Sequence, residues 1–198
     1  MIDPSDFVAG ALSLDFVNTV GGIRSGPSDD KLARYEDLAE WAVLGGALSK
    51  EEGARLAQRA AQDPDQAARE LARARDFREA LHAVFSARME DGTVPKAAME
   101  RVNAEIGRAL SHARLVPADG HYHWGWDNTD MLEAPLWAVA RDAGRLLTEG
   151  SAARLRECAS DTCGWLFLDT TKNRSRRWCD MKGCGNRDKV RRYRRKAG

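Results

Sequence analysis

Cys158-Ala-Ser-Asp-Thr-Cys163 and Cys179-Asp-Met-Lys-Gly-Cys184, separated by fifteen residues, contain every cysteine of the 198-residue chain. Two short-spaced pairs joined by a hairpin-length loop are the pattern of a four-thiolate zinc site. Each pair wraps one side of a tetrahedral ion, and the loop brings the pairs together. The spacing therefore predicts one structural zinc ion held by Cys158, Cys163, Cys179 and Cys184. Four thiolates fill the coordination sphere and leave no place for water or substrate, which argues against metal catalysis. The C-x4-C spacing also departs from the C-x-x-C of thiol oxidoreductases. In a reducing compartment paired cysteines hold metal more often than they form disulfides.

Around the cysteines, Trp165-Leu-Phe-Leu168 is an apolar, β-prone run and Asp169 to Asn173 is polar and turn-forming. Arg176 to Trp178 then leads back to Cys179, so a hairpin is expected to return the chain to the first pair. After Cys184, Asn186 suits a helix N-cap. The helix that follows would set Val190, Tyr193 and Ala197 on one side, against the metal core. Arg187, Lys189, Arg191, Arg192, Arg194, Arg195 and Lys196 are left for solvent or a partner. A knuckle, a hairpin and a helix after the last ligand make a treble-clef-like arrangement.

Charge divides the chain in two. Residues 151–198 carry fourteen Lys/Arg against five Asp/Glu, a net of +9, whereas residues 1–150 carry seventeen against twenty-five, a net of −8. A basic segment beside an acidic body points to a polyanion partner for the former and a separate task for the latter. Seven cations on a bare helix repel one another unless an anion is present. A second basic group, Lys172, Arg174, Arg176 and Arg177, lies on the adjacent hairpin. Nucleic acid is the expected partner, contacted by these four residues and by Asn186, Arg187, Lys189, Arg191, Arg192, Arg194 and Arg195. The alternative, a solvated charged tail, fits poorly with a helix tethered to a metal site.

About 150 residues suffice for one ordinary core, whereas about 40 residues usually need a metal or disulfides. The expectation is thus a body at 1–150 and a finger at 151–198. Helical periodicity dominates the body, giving an α+β fold, mainly helical, with one small β-hairpin. Helices are predicted over Tyr35 to Leu44, from the capping box Ser49-x-x-Glu52 to about Gln62, from Asp63-Pro64 along the stripe Ala74, Phe77, Leu81, Val84 and Phe85, from Pro95 in a first turn to about Ser111, and from Pro135 to Glu149-Gly150. Asp119-Gly120 between two β-prone runs signals a hairpin. Phe7 to Val20 reads as a strand followed by a helix. The N-terminus lacks the basic and apolar regions of a signal peptide and no stretch approaches a membrane span, so a cytoplasmic location is expected.

The run Cys179-Asp-Met-Lys-Gly-Cys-Gly-Asn-Arg-Asp-Lys-Val-Arg-Arg192 resembles the CGNR zinc-finger family, whose tetrapeptide stands here as Cys184-Gly185-Asn186-Arg187. Leu14-Asp-Phe-Val-Asn-Thr19, Asp37-Leu-Ala-Glu-Trp41 and Phe77-Arg-Glu-Ala-Leu81 resemble the ABATE domain that precedes this finger in bacteria. The resemblance implies a stress-linked bacterial transcription regulator whose finger binds DNA.

A regulator needs a signal. Asn18, Thr19, Arg78, Trp124 and Trp126 are the candidate liners of a small-molecule effector pocket in the body. Each also has a structural reading: a turn or cap for Asn18 and Thr19, an ion pair for Arg78, core for the tryptophans. His121 and His123 lack a third metal ligand. With no G-x-S-x-G elbow, phosphate-cradling Gly-rich loop or H-E-x-x-H, the chain is not expected to be an enzyme. Two alternatives stay open: a finger that binds RNA or ribosomes, and a structural finger attached to an enzyme of unrecognised type. Assembly as a homodimer is also open.

Overall fold

The computed structural model describes residues 2–22 and 29–197. In chain order the body comprises α1 (Leu12–Val17), a short antiparallel ladder of β1 (Val20–Gly21) with β2 (Asp29–Asp30), α2 (Tyr35–Leu44), α3 (Lys50–Gln62), α4 (Pro64–Met89) and α5 (Lys96–Ser111). The hairpin of β3 (Ala113–Ala118) with β4 (His121–Trp126) and α6 (Pro135–Thr148) complete it. The finger contains β5 (Leu155–Glu157), β6 (Leu166–Leu168) and α7 (Asn186–Ala197). The fold is α+β: a mainly helical body with small antiparallel hairpins, then a four-cysteine cluster and a terminal helix.

Local chemistry sets the helix ends. The Ser49 hydroxyl accepts from the Glu52 N–H (3.1 Å), and the Ser49 N–H donates back to the Glu52 carboxylate (2.7 Å), closing the expected box at the start of α3. Asp63 caps α4 by accepting from the Gln66 N–H (2.9 Å). Along α4 the stripe Ala74, Phe77, Leu81, Val84 and Phe85 is buried. Each of its large side chains contributes on the order of 1.5–3 kcal/mol. Arg73, on the same helix, ties α4 to α5 through Glu105 (3.1 Å) and to the lead-in of α6 through Glu133 (2.7 Å). Gly150, at φ +74°, ends the α6 region where a left-handed residue is needed. Asp119 and Gly120 are both left-handed, the backbone of a two-residue hairpin turn.

The N-terminal stretch departs from the expectation, because no strand precedes α1 among the described residues. Ser13 gives both its N–H (2.8 Å) and its hydroxyl (2.7 Å) to Asp142 of α6, fixing the first turn of α1. The helix is wedged against α4, α6 and β6, so the polar Ser13 and Asp15 are buried along with Leu14, Phe16 and Val17 and no exposed side alternates with a buried one. Alternation therefore misleads in a helix buried all round. Pro95 sits at the N-cap of α5 rather than inside its first turn.

Gly150 divides the two segments in sequence, yet the apolar core runs through both. Leu155, Leu166, Phe167 and Leu168 belong to the same buried cluster as Leu14, Trp41 and Phe77. Backbone joins them as well: the Leu168 N–H donates to the Ala9 carbonyl (2.8 Å). The Asn18 amide donates to the Leu166 carbonyl (2.8 Å) and accepts from the Leu166 N–H (2.9 Å), mimicking a strand partner. The Trp165 indole donates to the Val20 carbonyl (3.1 Å). A finger too small to hold itself leans on the first twenty residues.

Candidate metal centre and nucleic-acid interface

β5 and β6 pair as Leu155↔Leu168, Arg156↔Phe167 and Glu157↔Leu166, and the knuckle between them carries Cys158 and Cys163. The finger hairpin therefore joins β6 to the strand before the first cysteine pair, and Arg176 to Trp178 is not its second strand as expected. That segment is irregular and reaches the knuckle through the Ala159 N–H, which donates to the Arg177 carbonyl (2.8 Å). Asp169 makes this route possible. Fully buried, it accepts from the Thr171 N–H (2.9 Å), the Thr171 hydroxyl (2.5 Å) and the Arg176 N–H (3.0 Å), winding the loop around one carboxylate.

Cys158, Cys163, Cys179 and Cys184 are all buried and free, with their Sγ atoms within 4.8 Å of one another. Cys179 Sγ lies 3.7 Å from that of Cys163 and 3.6 Å from that of Cys184. A tetrahedral ion with bonds of about 2.3 Å needs sulfurs about 3.8 Å apart, whereas a disulfide needs about 2 Å. The donor set thus fits a divalent ion and not a bridge. The thiols perturb one another as crowded groups must. Hydrogen bonds from Cys163 and Cys179 hold Cys158 far below the ordinary thiol range, and the same bonds push Cys163 and Cys179 up. A cation would replace these shared protons. The Cys179 N–H (3.4 Å) points at Cys158 Sγ, and the Arg187 guanidinium (3.0 Å) at Cys184 Sγ, which raises the Arg187 pKa further. Both are placed to offset thiolate charge.

The turn Met181–Gly185 carries the chain into α7, capped by Asp180, whose carboxylate accepts from the Gly183 N–H (2.5 Å). Asn186 is consequently already helical and does not cap: its amide donates to the Lys182 carbonyl (3.1 Å). The expected packing of Val190 and Tyr193 on the metal core is also overturned, since they are 50% and 75% exposed. The start of α7 meets the finger through Arg187, on Cys184, and through Arg191, paired with Asp161 of the knuckle at 2.5 Å. The Arg192, Lys196 and Ala197 side chains lie outside the described residues. Lys182, Asn186, Arg187, Val190, Arg191 and Arg194 line a groove of about 490 Å³ along one face of α7. Lys189 and Arg195 are exposed beyond that set.

The second basic group is divided. Lys172, Arg174 and Arg177 are exposed on the loop. Arg176 is not available to a partner: it donates to the carbonyls of Val8 (2.8 Å), Leu168 (3.3 Å), Trp178 (3.1 Å) and Cys179, and lies over the Phe167 ring at 4.4 Å. Its five fixed donors suit the stitching of three backbone segments.

The five expected pocket residues are not brought together around a cavity. Asn18 holds β6, and Thr19 donates to the Phe16 carbonyl (2.8 Å) while accepting from Arg78 (3.1 Å). Arg78, 3% exposed, grips Asp30 with two bonds of 2.8 Å. Burial opposes the Asp30 charge, but the Arg78 pair outweighs it and leaves that carboxylate below its ordinary range. Trp124 and Trp126 stand apart from these on β4, both beside Arg141. A larger cavity, of about 780 Å³, lies instead between body and finger, among Asp6, Val8, Trp165, Lys182 and Arg187 beside the metal centre. Asp161, Asp169 and Asp180 were not legible as functional positions. Only the Asp-Thr-Thr turn at 169–171 signals one of them in the sequence.

A mainly helical body joined through a shared core to a four-cysteine finger with a basic terminal helix is the architecture of a two-part metal-binding protein. Residues 10–150 match the ABATE family, described as "Putative stress-induced transcription regulator", and residues 154–197 match the CGNR zinc finger. The chain belongs to the ABATE family and ends in a CGNR zinc finger. No curated protein matches it. No helix among the described residues is long and apolar enough to cross a membrane.

Proposed function

We propose that the chain is a DNA-binding transcription regulator of the bacterial cytoplasm, in which one zinc ion on Cys158, Cys163, Cys179 and Cys184 fixes the basic face of α7. The observation that carries this reading is the groove of Lys182, Asn186, Arg187, Arg191 and Arg194, anchored to the finger at both Arg187 and Arg191. Zinc with four thiolates carries two net negative charges, and Arg187 on Cys184 offsets one of them while keeping donors free for phosphate. Arginines held by a carboxylate or sulfur lose less side-chain entropy on binding than mobile ones. Lys172, Arg174, Arg177, Lys189 and Arg195 add cationic surface without such anchors. The body is proposed to transmit a signal, with a small-molecule effector seated in the cavity between body and finger, where it would touch both.

Titrating the zinc-loaded chain with duplex DNA, structured RNA and heparin over a range of salt tests this. With about six phosphates neutralised, the logarithm of affinity should fall against the logarithm of salt with a slope near −5. Duplex DNA is expected to bind most tightly. Tighter binding of RNA would favour recognition of RNA shape and phosphates instead. Salt-independent binding, or none, contradicts the reading.

A further inference from the structure

The β3–β4 hairpin stands out from the rest of the acidic body. β4 reads His121-Tyr-His-Trp-Gly-Trp126 and carries no Lys, Arg, Asp or Glu. Its register pairs Ala113 with Trp126, Leu115 with Trp124 and Pro117 with Tyr122, which places these six side chains on one face. Trp126 is anchored at the base, 5.9 Å from the ring of Trp137, and Arg141 lies beside both Trp124 and Trp126. Farther out the stripe is bare: Trp124 is 48%, Leu115 62% and Tyr122 71% exposed.

The backbone adds a second, independent feature. The Asp127 N–H donates to the His112 carbonyl (2.8 Å) at the base of the hairpin. Antiparallel alternation then makes Arg114–Gly125, Val116–His123 and Ala118–His121 the bonded pairs and turns the N–H and C=O of Tyr122, Trp124 and Trp126 outward. On the opposite edge, Pro117 removes one of the three outward donors, so β3 is blunted. β4 lacks every usual protection of an edge strand: charge, proline or bulge.

We propose that the outer edge of β4 pairs with β4 of a second copy of this chain, antiparallel across a two-fold axis near Trp124, to form a four-stranded intermolecular sheet. A two-fold operation returns the same strand in the opposite direction, which antiparallel pairing requires, so the edge is complementary to itself. The stripe would continue across the axis, with each Tyr122 beside the partner's Trp126 and the two Trp124 rings adjacent. An isolated two-stranded hairpin is marginal in water, and doubling it supplies the missing strands. Uncharged β4 edges approach without repulsion. A nucleic acid is a poorer occupant, since aromatic platforms for bases are accompanied by cations for phosphates. Here Arg114 is already paired with Asp127, and Arg141 is engaged by the rings.

Sedimentation equilibrium of the full zinc-loaded chain, without nucleic acid, is the test. The wild type is expected to be dimeric at micromolar concentration. Trp124→Lys places a charge on the edge. Tyr122→Pro removes one outward donor while leaving the hairpin's own bonds intact. Each should weaken dimerisation by roughly tenfold or more, with circular dichroism and zinc content unchanged. Val116→Lys, on the other face and the other strand, should leave the dimer in place. In the wild type, amide exchange at Tyr122 and Trp124 should slow as protein concentration rises. A monomeric wild type, edge variants that dimerise normally, or β4 protection that appears only when nucleic acid is added would each overturn the proposal.

Discussion

Asn18 supplies both halves of a backbone hydrogen-bonding pattern to Leu166 from a position 3% exposed. Asn18→Ala would leave a buried N–H and a buried C=O unpaired, at a cost of about 3 kcal/mol. Because the bonds end on β6, the variant is expected to lower both thermal stability and zinc retention, measured by thermal unfolding and a chelator competition. A loss of stability with unchanged zinc retention would separate the clasp from the metal centre. Asp15 makes a second residue-level test. Burial raises its pKa from 3.8 to about 7, against the opposing hydrogen bond from the Ala9 N–H (2.9 Å). The folded state therefore holds this proton more tightly than the unfolded chain, so the Asp15 contribution to stability declines as pH rises from about 4 to about 7. Asp15→Asn can still accept from Ala9 and has nothing to titrate. Its stability relative to wild type should grow between pH 5 and pH 8 in paired denaturation curves, and parallel curves would contradict the assignment. Both residues lie in the Leu14 to Thr19 run, within the span that matches the ABATE family. The sequence made that run visible but not its use, because a contact 148 positions away leaves no local signature.

At the scale of elements, legibility followed locality. The start of α3 at Ser49, the stripe of α4, the Asp119-Gly120 turn and the start of α6 at Pro135 were readable, since each depends on neighbours within one or two turns of chain. α1 was misread because tertiary burial erased its polar side. The start of α7 was misread because Asp180, six residues before Asn186, took the capping role through an intervening wide turn. Arg176 was misread because sequence shows its charge and not the carbonyls that surround it. The division between anchored and structural arginines has a measurable consequence for α7. Arg191→Ala should weaken binding to DNA by a similar factor on every sequence, and lower the salt slope by about one, if the guanidinium meets phosphate. A loss confined to one sequence would instead identify base readout. Fluorescence anisotropy on several duplexes reads both quantities. Val190 and Tyr193 are exposed, and the Arg187 and Arg191 contacts tie the first turns of α7 to the finger.

Across the whole molecule, opposite net charges and a single apolar core describe one arrangement: an acidic body that supports, through β6, a small basic finger it does not electrostatically repel. The cysteine spacing announced the metal centre, and four Sγ atoms meet where that spacing required. What the spacing could not announce is that the finger's strand would be held by residues 8–20, which joins finger and body in one apolar core. X-ray absorption at the zinc edge of the purified full chain tests this account most directly. Four sulfur scatterers at about 2.3 Å and none from nitrogen or oxygen are predicted. A natively folded chain with nitrogen or oxygen in the first coordination sphere, or with no zinc at all, would contradict it.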